Sequence, residues 1–217
     1  MLPLQGVRVV EFCQVLAGPF AGCLLADMGA DVIKVESPEG DLMRQWPPVL
    51  DGYSQYFASV NRNKRSVVFD LKQDAGLDAA RRLALTADIV LENFRPGVMA
   101  KFGLDYATLA KDHPALVYCS VSAFGQTGPR AAEGGFDMTI QAMSGVMSVT
   151  GDKDGRPAKC GIPIADFSAG LYAAFSVTAA LHKARSTGQG DCVDVSMLGS
   201  MLGIANLQTS ELFGMGR

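Results

Sequence analysis

Val7-Arg8-Val9-Val10-Glu11-Phe12, then Pro19-Phe20-Ala21-Gly22-Cys23-Leu24-Leu25-Ala26-Asp27-Met28-Gly29, then Asp31-Val32-Ile33-Lys34-Val35-Glu36: these three stretches decide the fold. The first and third are short runs rich in valine and isoleucine, the pattern of strands buried on both faces. The middle stretch opens on a proline suited to a first helical turn and closes on a glycine suited to a helix end. Strand, helix and strand within about 30 residues make a right-handed βαβ unit with its two strands parallel.

The same alternation continues outward. Residues 37–62 are rich in Gly, Pro and polar side chains and read as an extended surface loop, with a helical piece near Tyr53 to Val60. Residues 66–71 read as a third strand. Residues 74–87 read as an amphipathic helix with Leu77, Ala80, Leu83 and Ala84 on one face. Residues 88–94 and 115–124 follow as strands, with helical pieces at about 96–102 and 105–112 between them. Two further helices are expected, over 138–148 and from Asp166 to 185. A late strand at 192–197 and a final helix over about 197–213 complete the pattern. The expected fold class is α/β: an open, mainly parallel sheet with helices on both faces.

Composition narrows the function. The 217 residues are 48% hydrophobic, enough for one sizeable core, and the formal net charge is −3. Such a balance offers no basic footprint for nucleic acid. Cys13, Cys23, Cys119, Cys160 and Cys192 form no C-x-x-C pair and read as reduced, mostly buried thiols. With His113 and His182 the only histidines, a metal site is not expected. The N-terminus lacks a signal-peptide pattern, and no unbroken apolar run reaches the roughly 18–20 residues of a membrane span. A soluble, cytoplasmic chain that makes no membrane contact is expected. Met215-Gly216-Arg217 closes an apolar helical run without a stop signal, so the chain reads as cut.

Several residues invite chemistry. The first βα turn offers a helix N-terminus to an anion, and Glu36 stands where a ribose-binding carboxylate stands in a dinucleotide fold. The turn nevertheless lacks G-x-G-x-x-G, which argues against a standard NAD site. Arg62, Lys64 and Arg65 place three cations in five residues. They suit either a solvated face or nucleotide phosphates, as do Lys72 and Lys101. Asp166 follows an apolar approach, Ile162-Pro163-Ile164-Ala165, and opens a helix. It reads either as a helix cap or as a carboxylate nucleophile. Asp137, after Gly134-Gly135-Phe136, opens another helix; the two carboxylates could share one pocket.

An ordered series of motifs then carries a resemblance. It runs through L-A-G-P (16–19), A-D-M-G-A-D-V-I-K-V-E (26–36), N-R-N-K-R-S (61–66) and D-I-V-L-E-N-F-R-P-G (88–97). It continues in F-G-Q-T-G-P (124–129), Q-A-M-S-G (141–145), P-I-A-D-F-S-A-G-L-Y-A-A (163–174) and the G-Q-G segment at 188–190. Over essentially its whole length the chain resembles the class III CoA-transferases, the CaiB/BaiF family with formyl-CoA transferase-like members. That resemblance implies a Rossmann-like large CoA-binding domain, of which residues 1–217 are the N-terminal part, without the small domain. It implies that Asp166 is the nucleophile, with Asp137 at an acidic position beside it. It implies CoA contacts at Leu16, Ala17, Phe69, Lys72, Asn93, Phe94, Arg95 and Lys101, while Ser37 replaces an arginine of some members. Acyl-CoA and a small carboxylic acid would be substrates, with no tightly bound cofactor. CoA would pass through an aspartyl anhydride and an aspartyl-CoA thioester. The full-length protein would be an interlocked homodimer, with the final helix packed on the missing domain or the partner.

Two other functions compete. One is 2-methylacyl-CoA racemisation, a second activity of the same family, in which a histidine precedes the aspartate at position 136; here that residue is Phe136. The other is a non-catalytic CoA-binding fragment.

Overall fold

The structure is a computed structural model that describes residues 1–216. The first half of the chain forms β1 (Arg8–Phe12), α1 (Ala17–Asp27) and β2 (Asp31–Glu36). After them come a 3-10 turn (Leu42–Gln45), the hairpin β3 (Val49–Leu50) and β4 (Tyr53–Ser54), α2 (Gln55–Asn61), β5 (Lys64–Val68) and α3 (Asp74–Ala84). The second half forms β6 (Ile89–Glu92), α4 (Val98–Lys101), α5 (Tyr106–Leu109), β7 (Val117–Ser122) and α6 (Asp137–Met143). After a second 3-10 turn (Val146–Val149) come α7 (Ile164–Thr187), β8 (Asp191–Ser196), α8 (Met197–Ile204) and α9 (Asn206–Met215).

Six strands make one parallel sheet in the order β5-β2-β1-β6-β7-β8. The chain builds outward from β1 on one side, then returns and builds outward from β6 on the other. The neighbours β1 and β6 therefore mark the switch point, beyond whose carboxyl ends open α/β sheets bind ligands.

Alternation along each strand divides the core in two. Val9, Ile89, Leu91, Val117, Cys119 and Val195 face α1, α7 and α8. Val10, Phe12, Val90 and Tyr118 face the other layer, where Ala80 and Ala84 of α3 pack with Leu77 and Leu83 alongside. Burial at about 25 cal/mol per Å² of apolar surface makes these two layers the main source of stability. At 24 residues, α7 has the length and hydropathy of a membrane span, yet half of that window is buried within the fold. It is a core helix, packed against α1, β7, β8 and α8.

Several details depart from the expected pattern, among them the helix expected over 138–148, which is α6 followed by a separate 3-10 turn. Residues 37–62 carry a short hairpin besides the expected helical piece. The long helix begins at Ile164, two residues before Asp166. The final helix is two helices that part at Ala205; Gly199 and Gly203 weaken the segment before the break.

Candidate active site

Asp166 is the third residue of α7 and lies in its first turn. It therefore does not cap the helix, which corrects the capping alternative. The cap comes from another element: Asp137 Oδ1, in the first turn of α6, accepts the Ala165 N–H at 2.8 Å. The other oxygen, Oδ2, accepts from Gln141 Nε2 at 2.6 Å. This carboxylate stands in the first turn of α6 and caps the start of α7, where free N–H groups and the positive dipole end favour it.

This arrangement places Asp166 beside a second negative charge. Asp166 is half-buried, and its pKa is pushed from 3.8 up to about 7, first by burial and second by the charge of Asp137. The two carboxylates lie close enough for the charge of Asp137 to act on Asp166, and neither lines the two clefts beyond the strand ends. A carboxyl poised near neutrality suits nucleophilic and proton-transfer chemistry alike.

Two clefts open beyond the carboxyl ends of the strands. A cleft of about 340 Å³ is lined by Asn93, Phe94, Arg95, Ser122, Gly135 and Phe136, among others. Phe136 is 78% exposed there and immediately precedes Asp137. A second cleft of about 260 Å³ lies over β1, β2 and β5, and its walls include Phe12, Glu36, Phe69, Lys72 and Phe94. Phe94 belongs to both, so the two clefts adjoin at the β1–β6 switch point.

The expected contact residues divide accordingly. Phe69, Lys72, Asn93, Phe94 and Arg95 line the two clefts. Asn93 also ties the first turn to β6: its Oδ1 accepts the Gln14 N–H and its Nδ2 donates to the Gln14 carbonyl, both at 2.8 Å. Leu16 and Ala17 line neither cleft. Leu16 packs with Met43 and Val60 beside Phe167, the neighbour of Asp166, and Ala17 is buried at the start of α1. Lys101 is exposed at the end of α4 and also lines neither cleft.

Two further expectations are corrected. Glu36 is not free for a ribose: Arg44, Ser66 and the Asp41 N–H all donate to its carboxylate. Burial alone would raise its pKa, but those donors outweigh it and hold the carboxyl down at about 2. The cation run at 62–65 is split: Arg62 and Arg65 are exposed and ion-paired, as on a solvated face, and the side chain of Lys64 alone is buried. Arg62 pairs with Asp27 and Arg65 with Asp31, while Lys64 is buried against Glu11. Of the five cysteines three are buried, Cys160 is half-buried, Cys192 is exposed, and none is disulfide-bonded.

The sequence profile of CoA-transferase family III matches residues 4–216. The chain belongs to that family. Among curated proteins this family III chain is 49% identical over 204 residues to a succinate–glutarate CoA-transferase of Agrobacterium fabrum, covering 90% of the chain and 51% of the relative. It is 45% identical over 210 residues to a succinyl-CoA:mesaconate CoA-transferase of Haloarcula hispanica, covering 93% and 53%. A solved CaiB/BaiF family protein from Brucella suis superposes with a TM-score of 0.96 at 42% identity, covering 100% of this chain and 58% of that one. The family III chain therefore spans about half the length of the curated relatives it matches.

Some residues that shape the site of this family III chain escaped the sequence. Gln141 appeared only inside Q-A-M-S-G, with nothing to show that it is buried. The charged network beneath α1 left a faint signal: Glu11 and Lys34 interrupt strands that are otherwise apolar. Lys34 contacts Asp41 at 2.9 Å and donates to the Cys13 carbonyl at 2.6 Å. Lys64 contacts both Glu11 oxygens at 2.9 Å and donates to the Pro19 carbonyl at 2.7 Å. Together these bonds hold both ends of the first βα turn, in which Val15 adopts a strained φ of 65°.

Proposed function

We propose that the protein transfers coenzyme A between an acyl-CoA thioester and a small free carboxylic acid, with Asp166 as nucleophile. The observation that carries this reading is the closeness of Asp166 to Asp137 at the start of α7, in a chain whose neighbouring Phe136 lines a cleft of about 340 Å³. In the proposed reaction the Asp166 carboxylate attacks the thioester carbonyl and expels CoA thiolate, leaving a mixed anhydride. The thiolate attacks the aspartyl carbonyl, releasing the donor acid and forming an aspartyl-CoA thioester. The acceptor carboxylate displaces the thiolate in a second anhydride. The thiolate then attacks the acceptor acyl group, and Asp166 returns as a carboxylate. Splitting one exchange into four acyl transfers lowers each barrier.

The clefts suit the two ends of the substrate. Lys72 offers a point charge to a phosphate, Phe69 and Phe94 offer apolar walls, and Arg95 offers a guanidinium to a carboxylate or phosphate. The names of the relatives point to short dicarboxylic acids as the acid class. The remaining acceptor contacts, and the donors that stabilise each oxyanion, are assigned to the longer polypeptide, proposed as an interlocked dimer.

Phe136 favours transfer over racemisation. Epimerising the carbon beside the thioester needs acid/base groups on both of its faces. Phenylalanine exchanges no proton, His113 is bonded to the Ala87 carbonyl at 3.0 Å, and His182 lies about 24 Å along α7 from Asp166.

The test is chemical trapping. The full-length protein, incubated with an acyl-CoA, should carry a hydroxylamine-sensitive adduct on the peptide containing Asp166. Asp166→Asn should fold and lose both adduct and turnover. Retained turnover in Asp166→Asn would refute the assignment. α-Deuterium exchange into a 2-methylacyl-CoA, dependent on Asp166, would move the protein to the racemases.

A further inference from the structure

Gln141 plays no chemical part in the proposed reaction, yet it is fully buried in α6. Both ends of its carboxamide act on the segment that leads into Asp166. Its Oε1 accepts the Cys160 N–H at 2.7 Å. Its Nε2 donates to Asp137 Oδ2 at 2.6 Å and lies 3.4 Å from the Ile162 carbonyl. Asp137, one helical turn earlier on α6, takes the Ala165 N–H with its other oxygen. Two side chains of one helix therefore hold residues 160, 162 and 165, and Asp166 follows.

The grip has only one workable orientation. Turning the amide over would set its oxygen against a carboxylate oxygen and its NH₂ against a backbone N–H, leaving both unpaired in a buried place. The segment has little else to hold it. Residues 150–163 contain no helix or strand, and Ile162 is 55% exposed. A fixed amide at this point determines where α7 begins and how its first turn is aimed.

We infer that Gln141 is a positioning residue for Asp166, acting through Asp137 and the 160–165 segment. The inference rests on Asp166 being the nucleophile. Among the described residues, Asp137 is the charged group that acts on Asp166, so whatever orients Asp137 also sets the field at the nucleophile. A clamp of this kind affects the rate of attack rather than the affinity for CoA, since misplacing a reacting group by about 1 Å costs up to about 100-fold.

The experiment compares Gln141→Leu, Gln141→Asn and Gln141→Glu in the full-length protein with wild type. Folding is monitored by circular dichroism, and the adduct at Asp166 is timed by hydroxylamine trapping. Gln141→Leu and Gln141→Asn should lower kcat by about 10- to 100-fold and leave KM for the acyl-CoA unchanged. Gln141→Glu adds a third carboxylate beside Asp137, so the acid limb of adduct formation should move to higher pH. If Gln141→Leu does not fold, the Asn and Glu variants decide. Variants that form the Asp166 adduct at the wild-type rate with an unmoved pH profile, whatever their Tm, would overturn the inference and leave Gln141 a structural strut. An adduct absent from Asp166 in the wild type would instead strike at the nucleophile assignment itself.

Discussion

At the scale of single residues, Asp166 links stability to chemistry. Its folded pKa stands near 7 against a usual 3.8, because burial and the charge of Asp137 both disfavour ionisation. The folded chain therefore holds a proton that the unfolded chain has already released. Stability contributed by this group is present below pH 4 and is lost as pH rises from about 4 through 7. A shift of this size corresponds to a few kcal/mol at most, and partial exposure brings the expected effect down to about 1–2 kcal/mol. Asp166→Asn should accordingly raise Tm at pH 8 and converge with wild type towards pH 4 in thermal melts. A lower Tm for the variant at pH 8 would contradict the account. In the proposed reaction the same shift places the acid limb of adduct formation near pH 7. The carboxylate is then available at neutral pH without being over-stabilised.

At the scale of elements, the fold depends on what lies between α1 and the sheet. Glu11, Lys34 and Lys64 are buried there with Asp41, and the two negative and two positive charges compensate one another only because all of them are paired. Gly22 makes room for the network: a Cβ at that position would stand 1.9 Å from Glu11 Oε2. Gly22→Ala should displace Glu11 and break the pair with Lys64, at a cost of about 3–5 kcal/mol read from denaturant unfolding. A loss under about 1 kcal/mol would show that the network yields freely. Because Lys64 also holds the Pro19 carbonyl, the variant should loosen the turn bearing Leu16 and Ala17 as well. A similar closeness joins α1 to α7. A Cβ on Gly170 would stand 2.8 Å from the Ala17 carbonyl, so the start of α1 packs directly against the helix bearing Asp166.

At the scale of the molecule, several large apolar side chains of α7 and α9 stand exposed. Leu171 and Phe175 of α7 are 55% and 74% exposed, and Leu207 and Phe213 of α9 are 79% and 86% exposed. Monomeric soluble proteins seldom leave large apolar patches uncovered. The 217-residue chain by itself should therefore self-associate in light scattering. Replacing Leu207 and Phe213 together with Ser should reduce that association. A monodisperse monomer of the unaltered chain would show that these side chains carry no such drive.

The sequence alone was sufficient for the alternating architecture, because strand and helix periodicities are read from residues two to four apart. It also marked Asp166 and Asp137 as carboxylates at helix starts, and the family resemblance pointed to Phe69, Lys72, Asn93, Phe94 and Arg95, which line the clefts. Only the tertiary structure decided which groups meet. Asp137 caps Ala165 across 28 residues, Asn93 holds Gln14 across 79, and Lys64 meets Glu11 across 53. The cation run at 62–65 could not be read locally, since what distinguishes a solvated face from buried or paired charge is the presence of Glu11, Asp27 and Asp31. The neutral-range pKa of Asp166 has the same origin. Burial and a neighbouring charge exist only once α6 and α7 pack, so a property that decides reactivity belongs to the fold and not to any local stretch of sequence.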